Sequence, residues 1–231
     1  LEMAEERIAE RIDANLLDVT MEDLHDMPQQ LYDGKIKKLR EKTQGQLIIK
    51  EYPTASAHSG HFKSLMNELA LKKSFRPDVI FIDYLNICAS SRFKGGNISS
   101  YFYVKAIAEE LRGLAVESNV PIFSATQTTR TGYVSTDIGL EDTSESFGLP
   151  ATADFMFALI SNEELEALGQ MKVKQLKNRY NDPSINRAFI VGVDRSKMRL
   201  YDVQQKAQEI VDANQVDEKE DAYNKFSDFK L

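Results

Sequence analysis

Apolar residues change period several times along this chain, and each change marks an element. Residues 79–85 read Val-Ile-Phe-Ile-Asp-Tyr-Leu, apolar at almost every position except Asp83. Such a run fits a strand covered on both faces, as in a parallel α/β sheet. Val104, Ile107, Ala108, Leu111, Leu114 and Ala115 then recur at helical spacing, and a second apolar run, 120–125, ends in Thr126 and Gln127. Strand, crossover helix and strand in that order predict a parallel sheet.

Before this unit, Ile8, Ile12, Leu16 and Leu17 lie on one face of a helix already in progress at the first residues. The chain therefore reads as a piece of a longer protein, beginning where a strand hands over to a helix. A second helix is predicted over about 28–43, with Leu31, Ile36 and Leu39 inside and Lys35, Lys37, Lys38, Arg40 and Lys42 mostly in solvent. Gly45 introduces a predicted strand over 46–51, and a loop over 53–60 leads to a helix marked by Phe62, Leu65, Met66 and Leu69.

Residues 90–100 are rich in glycine and serine, and 128–150 form a long polar loop with room for one short helix. A loop of that length inside a compact domain is usually functional. Further strands are predicted over 154–160, 172–177, 187–193 and 198–203, the last three as a meander. Apolar periodicity fades from about residue 206. Residues 1–205 are read as one domain and 206–231 as an acidic, flexible tail with a helical patch suited to docking.

Composition narrows the class. The chain has 231 residues, 42% of them apolar and 28% charged, which suits an ordinary globular protein with one α/β domain. No apolar run approaches the roughly 20 residues needed to cross a bilayer, and no signal-peptide pattern opens the sequence, so no membrane partner and a cytoplasmic location are expected. Cys88 is the single cysteine and is read as a small buried hydrophobe. His58 and His61 sit in a Ser/Gly loop without a second ligand cluster and are read as ordinary surface histidines. The net charge of −7 is uneven: residues 1–34 carry −8 and residues 214–231 carry −2, which leaves +3 between them. The acidic average thus does not exclude a nucleic-acid partner.

Two strands now end in polar groups, Asp83 and Gln127. Ligands of parallel sheets bind in the crevice beyond the carboxyl ends of the strands. An acid there can hold Mg²⁺ or its water beside a bound phosphate, as a Walker B residue does, and an amide can sense the γ-phosphate. Strand-end polar residues also cap helices, and spacing alone leaves both readings open.

Longer motifs add a resemblance. Leu111-Arg-Gly-Leu-Ala-Val-Glu-Ser-Asn-Val-Pro-Ile-Phe-Ser-Ala-Thr-Gln127, with Phe81-Ile-Asp-Tyr-Leu85, resembles the RecA-like motor domain of DnaB-family replicative DNA helicases. Lys105-Ala-Ile-Ala-Glu-Glu-Leu-Arg112, Gly148-Leu-Pro-Ala-Thr-Ala-Asp-Phe-Met156 and Arg11-Ile-Asp-Ala-Asn15 place it nearest the branch of that family found in T-even bacteriophages. The resemblance covers residues 1 to about 205. It implies an α/β fold: a RecA-like P-loop NTPase core with a mostly parallel central sheet flanked by helices, truncated at its N-terminus.

The resemblance also implies roles. Leu1-Glu2-Met3 looks like the end of a motif whose glutamate is the proposed general base, which would make Glu2 catalytic. Asp83 would be the Walker B acid and a Mg²⁺ ligand, directly or through water, and Gln127 the γ-phosphate sensor. Lys177 and Arg179, in Leu176-Lys-Asn-Arg-Tyr180, resemble the Lys-x-Arg pair that reaches a neighbouring subunit's phosphates as an arginine finger. Residues 142–148 resemble a DNA-contacting segment. Here Ser144 replaces the family's arginine, while backbone groups near Glu145 and Gly148 remain to bind phosphate, with Arg92, Lys94 and Arg130 as helpers.

The activity that the resemblance implies is that of an ATP- and Mg²⁺-dependent helicase part, working on single-stranded DNA in a hexameric ring, with a primase and a helicase loader as partners. The glycine-rich Gly-Lys-Ser/Thr loop that cradles phosphates is not among these residues, so this part alone is expected to be inactive. A RecA-type recombinase core and a non-catalytic RecA-like module that binds DNA or partners are the alternatives.

Overall fold

The computed structural model describes residues 3–93, 98–128, 139–140, 148–182 and 185–203. Helices α1 (Glu5–Leu17), α2 (Met21–Asp26), α3 (Gln29–Lys42) and α4 (Ser59–Lys73) come first. Strand β1 (Ile80–Ile82), a 3₁₀ turn (Leu85–Ile87), helix α5 (Ser100–Ser118) and strand β2 (Ile122–Ser124) follow. The chain then runs through α6 (Gly148–Thr152), β3 (Phe155–Ile160), α7 (Glu163–Ala167), β4 (Gln170–Asn178), β5 (Ala188–Asp194) and β6 (Arg199–Asp202).

Local chemistry sets several boundaries. The Thr20 side chain accepts from the Asp23 amide at 3.0 Å and starts α2, and Asn162 does the same for Leu165 at 2.8 Å in α7. Asn119 ends α5 in the left-handed region, φ 51°, where its short polar side chain is tolerated. At α4 the cap is made by two histidines: His58 Nδ1 accepts from the Gly60 amide at 3.0 Å, and His61 Nδ1 accepts from the His58 amide at 3.2 Å. His58 and His61 are therefore reciprocal caps, a role their loop setting does not signal, and no group of three metal-ligating side chains exists among the described residues.

Strands β1 and β2 pair in parallel, Ile80 with Ile122, Phe81 with Phe123 and Ile82 with Ser124. Helix α5 is the crossover that the sequence predicts. One core gathers Ile82 and Leu85 from the β1 end with Val104, Ile107, Leu111 and Leu114 of α5, Phe62 of α4 and Leu149 of α6. Cys88 is buried in it, as expected, and burial pushes its thiol up to about 11.

The central strands are not covered on both faces by the described residues. Phe81 is 72% exposed and Phe123 49%, and their rings stack at 5.3 Å on the face away from α5. The described helices supply a core to one face of the β1–β2 pair only, so alternate residues of the apolar run reach solvent.

Parallel pairing is confined to β1 and β2 among the described residues. Strands β3, β4, β5 and β6 form a four-stranded antiparallel sheet in chain order, so the predicted meander extends to all four strands after residue 150. Residues 46–51 are not a strand: they run as a connection without a ladder partner among the described residues. Propensity alone cannot make a strand where no neighbouring backbone is offered. The second helix falls where predicted, but α3 buries no residue and Leu31 is 52% exposed. The expected tail, 206–231, lies outside the described residues.

Candidate nucleotide and phosphate site

The parallel register brings two strand ends together. Asp83 follows β1 directly, and Ser124, the last residue of β2, donates from Oγ to the Ile82 carbonyl at 2.8 Å. Beyond the strands the two loops stay joined. The Leu85 amide donates to Ala125 O at 3.1 Å, and Thr126 Oγ1 lies 2.8 Å from Asn86 Oδ1. Gln127 Nε2 donates to the Tyr84 hydroxyl at 3.3 Å. The Gln127 amide thus rests against the neighbour of Asp83, whose carboxylate is exposed. An exposed carboxylate and an amide at adjacent strand ends can share one polyanionic ligand, the acid through a cation and the amide by a direct hydrogen bond.

Glu110 of α5, which is 9% exposed, anchors the loop that follows the 3₁₀ turn. Its carboxylate accepts from Ser90 Oγ at 2.6 Å, Ser91 Oγ at 2.8 Å, the Ser91 amide at 2.9 Å and Ser59 Oγ at 3.1 Å. Burial pushes this carboxyl up, but the bonds from Ser90, Ser91 and Ser59 outweigh it and leave the group below its ordinary value. Residues 90–92 are thereby fixed at the start of the Gly/Ser-rich loop. Arg92 is exposed, and its guanidinium pairs with Glu109 at 2.5 Å.

Lys177 and Arg179 form a second group at the end of β4. Lys177 Nζ donates to Pro150 O at 2.6 Å, at the carboxyl end of α6. Arg179 donates from Nη2 to Ala151 O at 3.2 Å and from Nη1 to Asp154 Oδ1 at 2.7 Å. Arg112 of α5 reaches the same Asp154 oxygen from Nη2 at 2.9 Å. Partial burial, with Arg179 and Arg112 nearby, holds the Lys177 ammonium below its ordinary value, and Asp154 opposes that shift. The two basic residues are therefore not loose surface cations. Lys177 is docked on α6, and Arg179 on α6 and Asp154.

Of the other residues singled out in the sequence, Gly148 is buried at the start of α6, and its carbonyl accepts from Thr152 Oγ1 at 2.8 Å. Glu2, Lys94, Arg130, Ser144 and Glu145 lie outside the described residues. Tyr84, Glu110, Arg112 and Asp154 join the site without a role read from the sequence. All four lie within the motifs that carry the family resemblance, but their partners are distant in the chain, so no local spacing announces their contacts.

Comparison with known proteins decides the family. The family described as DnaB-like helicase C terminal domain matches residues 1–196. This chain belongs to that family. A DnaB-like replicative helicase of Enterobacteria phage T4 is 44% identical over 233 residues, which is 97% of this chain and 49% of that protein. A probable plasmid replicative DNA helicase of Chlamydia trachomatis is 35% identical over 135 residues, 56% of this chain and 28% of the relative. The chain thus spans about half the length of the phage relative.

Solved structures agree on the fold. An ATPase domain superposes with a TM-score of 0.72 at 16% identity, over 88% of this chain and 72% of that one. A DnaB-like replicative helicase, solved with a view to its interactions with primase, superposes with a TM-score of 0.69 at 16% identity, over 88% and 49% of the two chains. The DnaB-like chain is accordingly α/β and RecA-like, and its described strands form a parallel pair and a separate four-stranded antiparallel sheet.

Proposed function

We propose that this DnaB-like domain is the motor part of an ATP-dependent replicative helicase that translocates on single-stranded DNA, with ATP hydrolysed between subunits of a ring, hexameric in the complete protein. The observation that carries the reading is the contact of the Gln127 amide with Tyr84, the residue after Asp83, just beyond the ends of neighbouring parallel strands, in a chain of this family.

Asp83 suits Mg²⁺: a single exposed carboxylate next to a phosphate site is the usual protein share of an ion that keeps most of its ligands from water and phosphate. Mg²⁺ would supply charge neutralisation at the β- and γ-phosphates. Asp83 orients it, Gln127 reads whether the terminal phosphate is present, and Glu2 polarises the attacking water. Lys177 and Arg179 face the phosphates of the neighbouring subunit, where a cation meets charge that develops in the transition state. Residues 142–148, with Arg92, Lys94 and Arg130, grip the DNA backbone through charge and main-chain donors, with Ser144 in place of a charged contact.

The motor comprises residues 1–205, and the acidic segment 206–231 serves docking. Primase and a loader are the partners, and the setting is the host cytoplasm if the protein is phage-encoded. The domain alone lacks the phosphate-cradling loop and is inactive until joined to it.

The test uses the protein extended to the length of its curated relatives. DNA-stimulated ATP turnover should fall by about 100-fold or more in Asp83→Asn, Gln127→Ala and Arg179→Ala, in line with the loss of transition-state contacts in related phosphoryl-transfer enzymes. Undiminished turnover in all three overturns the assignment.

A further inference from the structure

We propose that Asp154 is a latch on Arg179. It holds the guanidinium inside its own subunit and must release it before the same donors can meet a neighbour's phosphate. The inference rests on the motor reading and adds a positioning residue to it.

Arg179 is engaged within its own chain through both terminal nitrogens and its backbone amide. Nη1 is on Asp154 Oδ1 at 2.7 Å, Nη2 is on Ala151 O at 3.2 Å, and its backbone amide donates to Asp154 O at 2.9 Å. A guanidinium grips phosphate through paired parallel N–H groups, and here both terminal nitrogens are already spoken for. The latch is also shared. Arg112 Nη2 competes for the same Asp154 oxygen at 2.9 Å, while Arg112 Nη1 is buried with no hydrogen-bond partner. Two cations, Arg112 and Arg179, thus share one carboxylate, with the Lys177 ammonium nearby on the α6 carbonyls, and the excess positive charge favours an incoming anion.

The latch is weak because of its surroundings. Asp154 and Arg179 keep 34% and 40% of their side-chain surface, and an ion pair so exposed shifts an equilibrium by a factor of only about 1.5 to 5. A phosphate with two or more charges can displace it. The carbonyls that hold Lys177 and Arg179 belong to α6, which begins at Gly148, the last residue of the segment assigned to DNA. A shift of α6 would therefore loosen both cations together.

Two substitutions should act in opposite directions. In the extended protein, Asp154→Asn frees Arg179 and should raise DNA-free ATP turnover about 2- to 5-fold, lowering the ratio of DNA-stimulated to basal rate by the same factor. Arg112→Gln leaves Asp154 to Arg179 alone and should lower DNA-free turnover, with the DNA-stimulated rate closer to wild type. A merely structural role would move both variants the same way, and that outcome, or unchanged ratios, overturns the latch. So does a fall of turnover in Asp154→Asn in equal measure with and without DNA, because Asp154 would then orient the finger instead of restraining it. NMR of the Arg179 guanidinium in the present chain reads the contact without activity: its side-chain N–H signals should show slowed rotation in the wild type and lose it in Asp154→Asn. Identical signals overturn the latch by themselves. A wild-type extended protein with no ATP turnover overturns the motor reading and the latch's purpose with it, whereas an active wild type with unaltered variants overturns the latch alone.

Discussion

Gln127 donates from Nε2 to the Tyr84 hydroxyl at 3.3 Å, so the amide that closes β2 is parked on the residue that follows Asp83. The contact is long for a hydrogen bond to a hydroxyl and both groups lie near solvent, which makes it easy to exchange for a ligand oxygen. A sensor needs that property: a resting partner weak enough to leave and close enough to fix the starting position.

Removing the resting partner should therefore cost little stability. Tyr84→Phe keeps the ring and deletes the acceptor, so thermal unfolding should change by no more than about 0.5 kcal/mol, as for most surface substitutions. ATP turnover in the extended protein should change less than tenfold, against the far larger loss in Gln127→Ala. Calorimetry and a steady-state ATPase assay measure the two; a large loss of turnover in Tyr84→Phe would make the hydroxyl itself part of the chemistry.

Ile107 is 1% exposed and sits where α5 meets the β1 end. Ile107→Ala should destabilise the domain by about 2–5 kcal/mol, because the lost transfer energy and the cavity add. Denaturant unfolding checks this, and the slope of the transition should stay the same if only stability is affected.

Much of this architecture is written in local pattern. The apolar face of α5, Val104 to Leu114, predicts a helix, and the structure forms one there; the apolar runs around β1 and β2 predict the two strands that pair. What local pattern does not carry is set by neighbours. Nothing in 46–51 shows that no strand lies alongside it, and nothing in Phe81 shows that its face of the sheet stays open among the described residues. The site divides in the same way. Asp83 and Gln127 announce themselves as polar stops on apolar strands. Asp154 and Arg112 look like ordinary surface charges until folding brings α5 and the end of β4 together, and Glu110 does so until residues 59, 90 and 91 close on it.

Cys88 offers a chemical probe of the same core. With burial holding its thiol at about 11, the thiolate at pH 8 is scarcer than in a free cysteine by a factor on the order of 100. Native protein should react with iodoacetamide at least that much more slowly than unfolded protein, since shielding adds to the missing charge. Mass spectrometry over time would show it, and fast native labelling would mean that the region around the 3₁₀ turn opens readily.

Glu110 makes the stability of the domain depend on pH. Its folded carboxyl lies below the ordinary value, so in the folded state it stays ionised to lower pH than in the unfolded chain. A depressed acid stabilises the fold fully above its unfolded pKa, near 4.3, and that contribution is lost as pH falls through the folded value. Glu110→Gln puts an amide donor among groups that already donate, Ser59, Ser90, Ser91 and the Ser91 backbone, and at least one of them is left unsatisfied. The expected cost is about 1–3 kcal/mol at pH 7. The gap between wild type and variant should narrow steadily as the solution is acidified below about pH 4, because protonation forces the same conflict on the wild type. Melting temperatures of the two proteins across that range decide the matter: a gap that stays constant or widens in acid would mean that Glu110 is not held as a carboxylate by the serines around it.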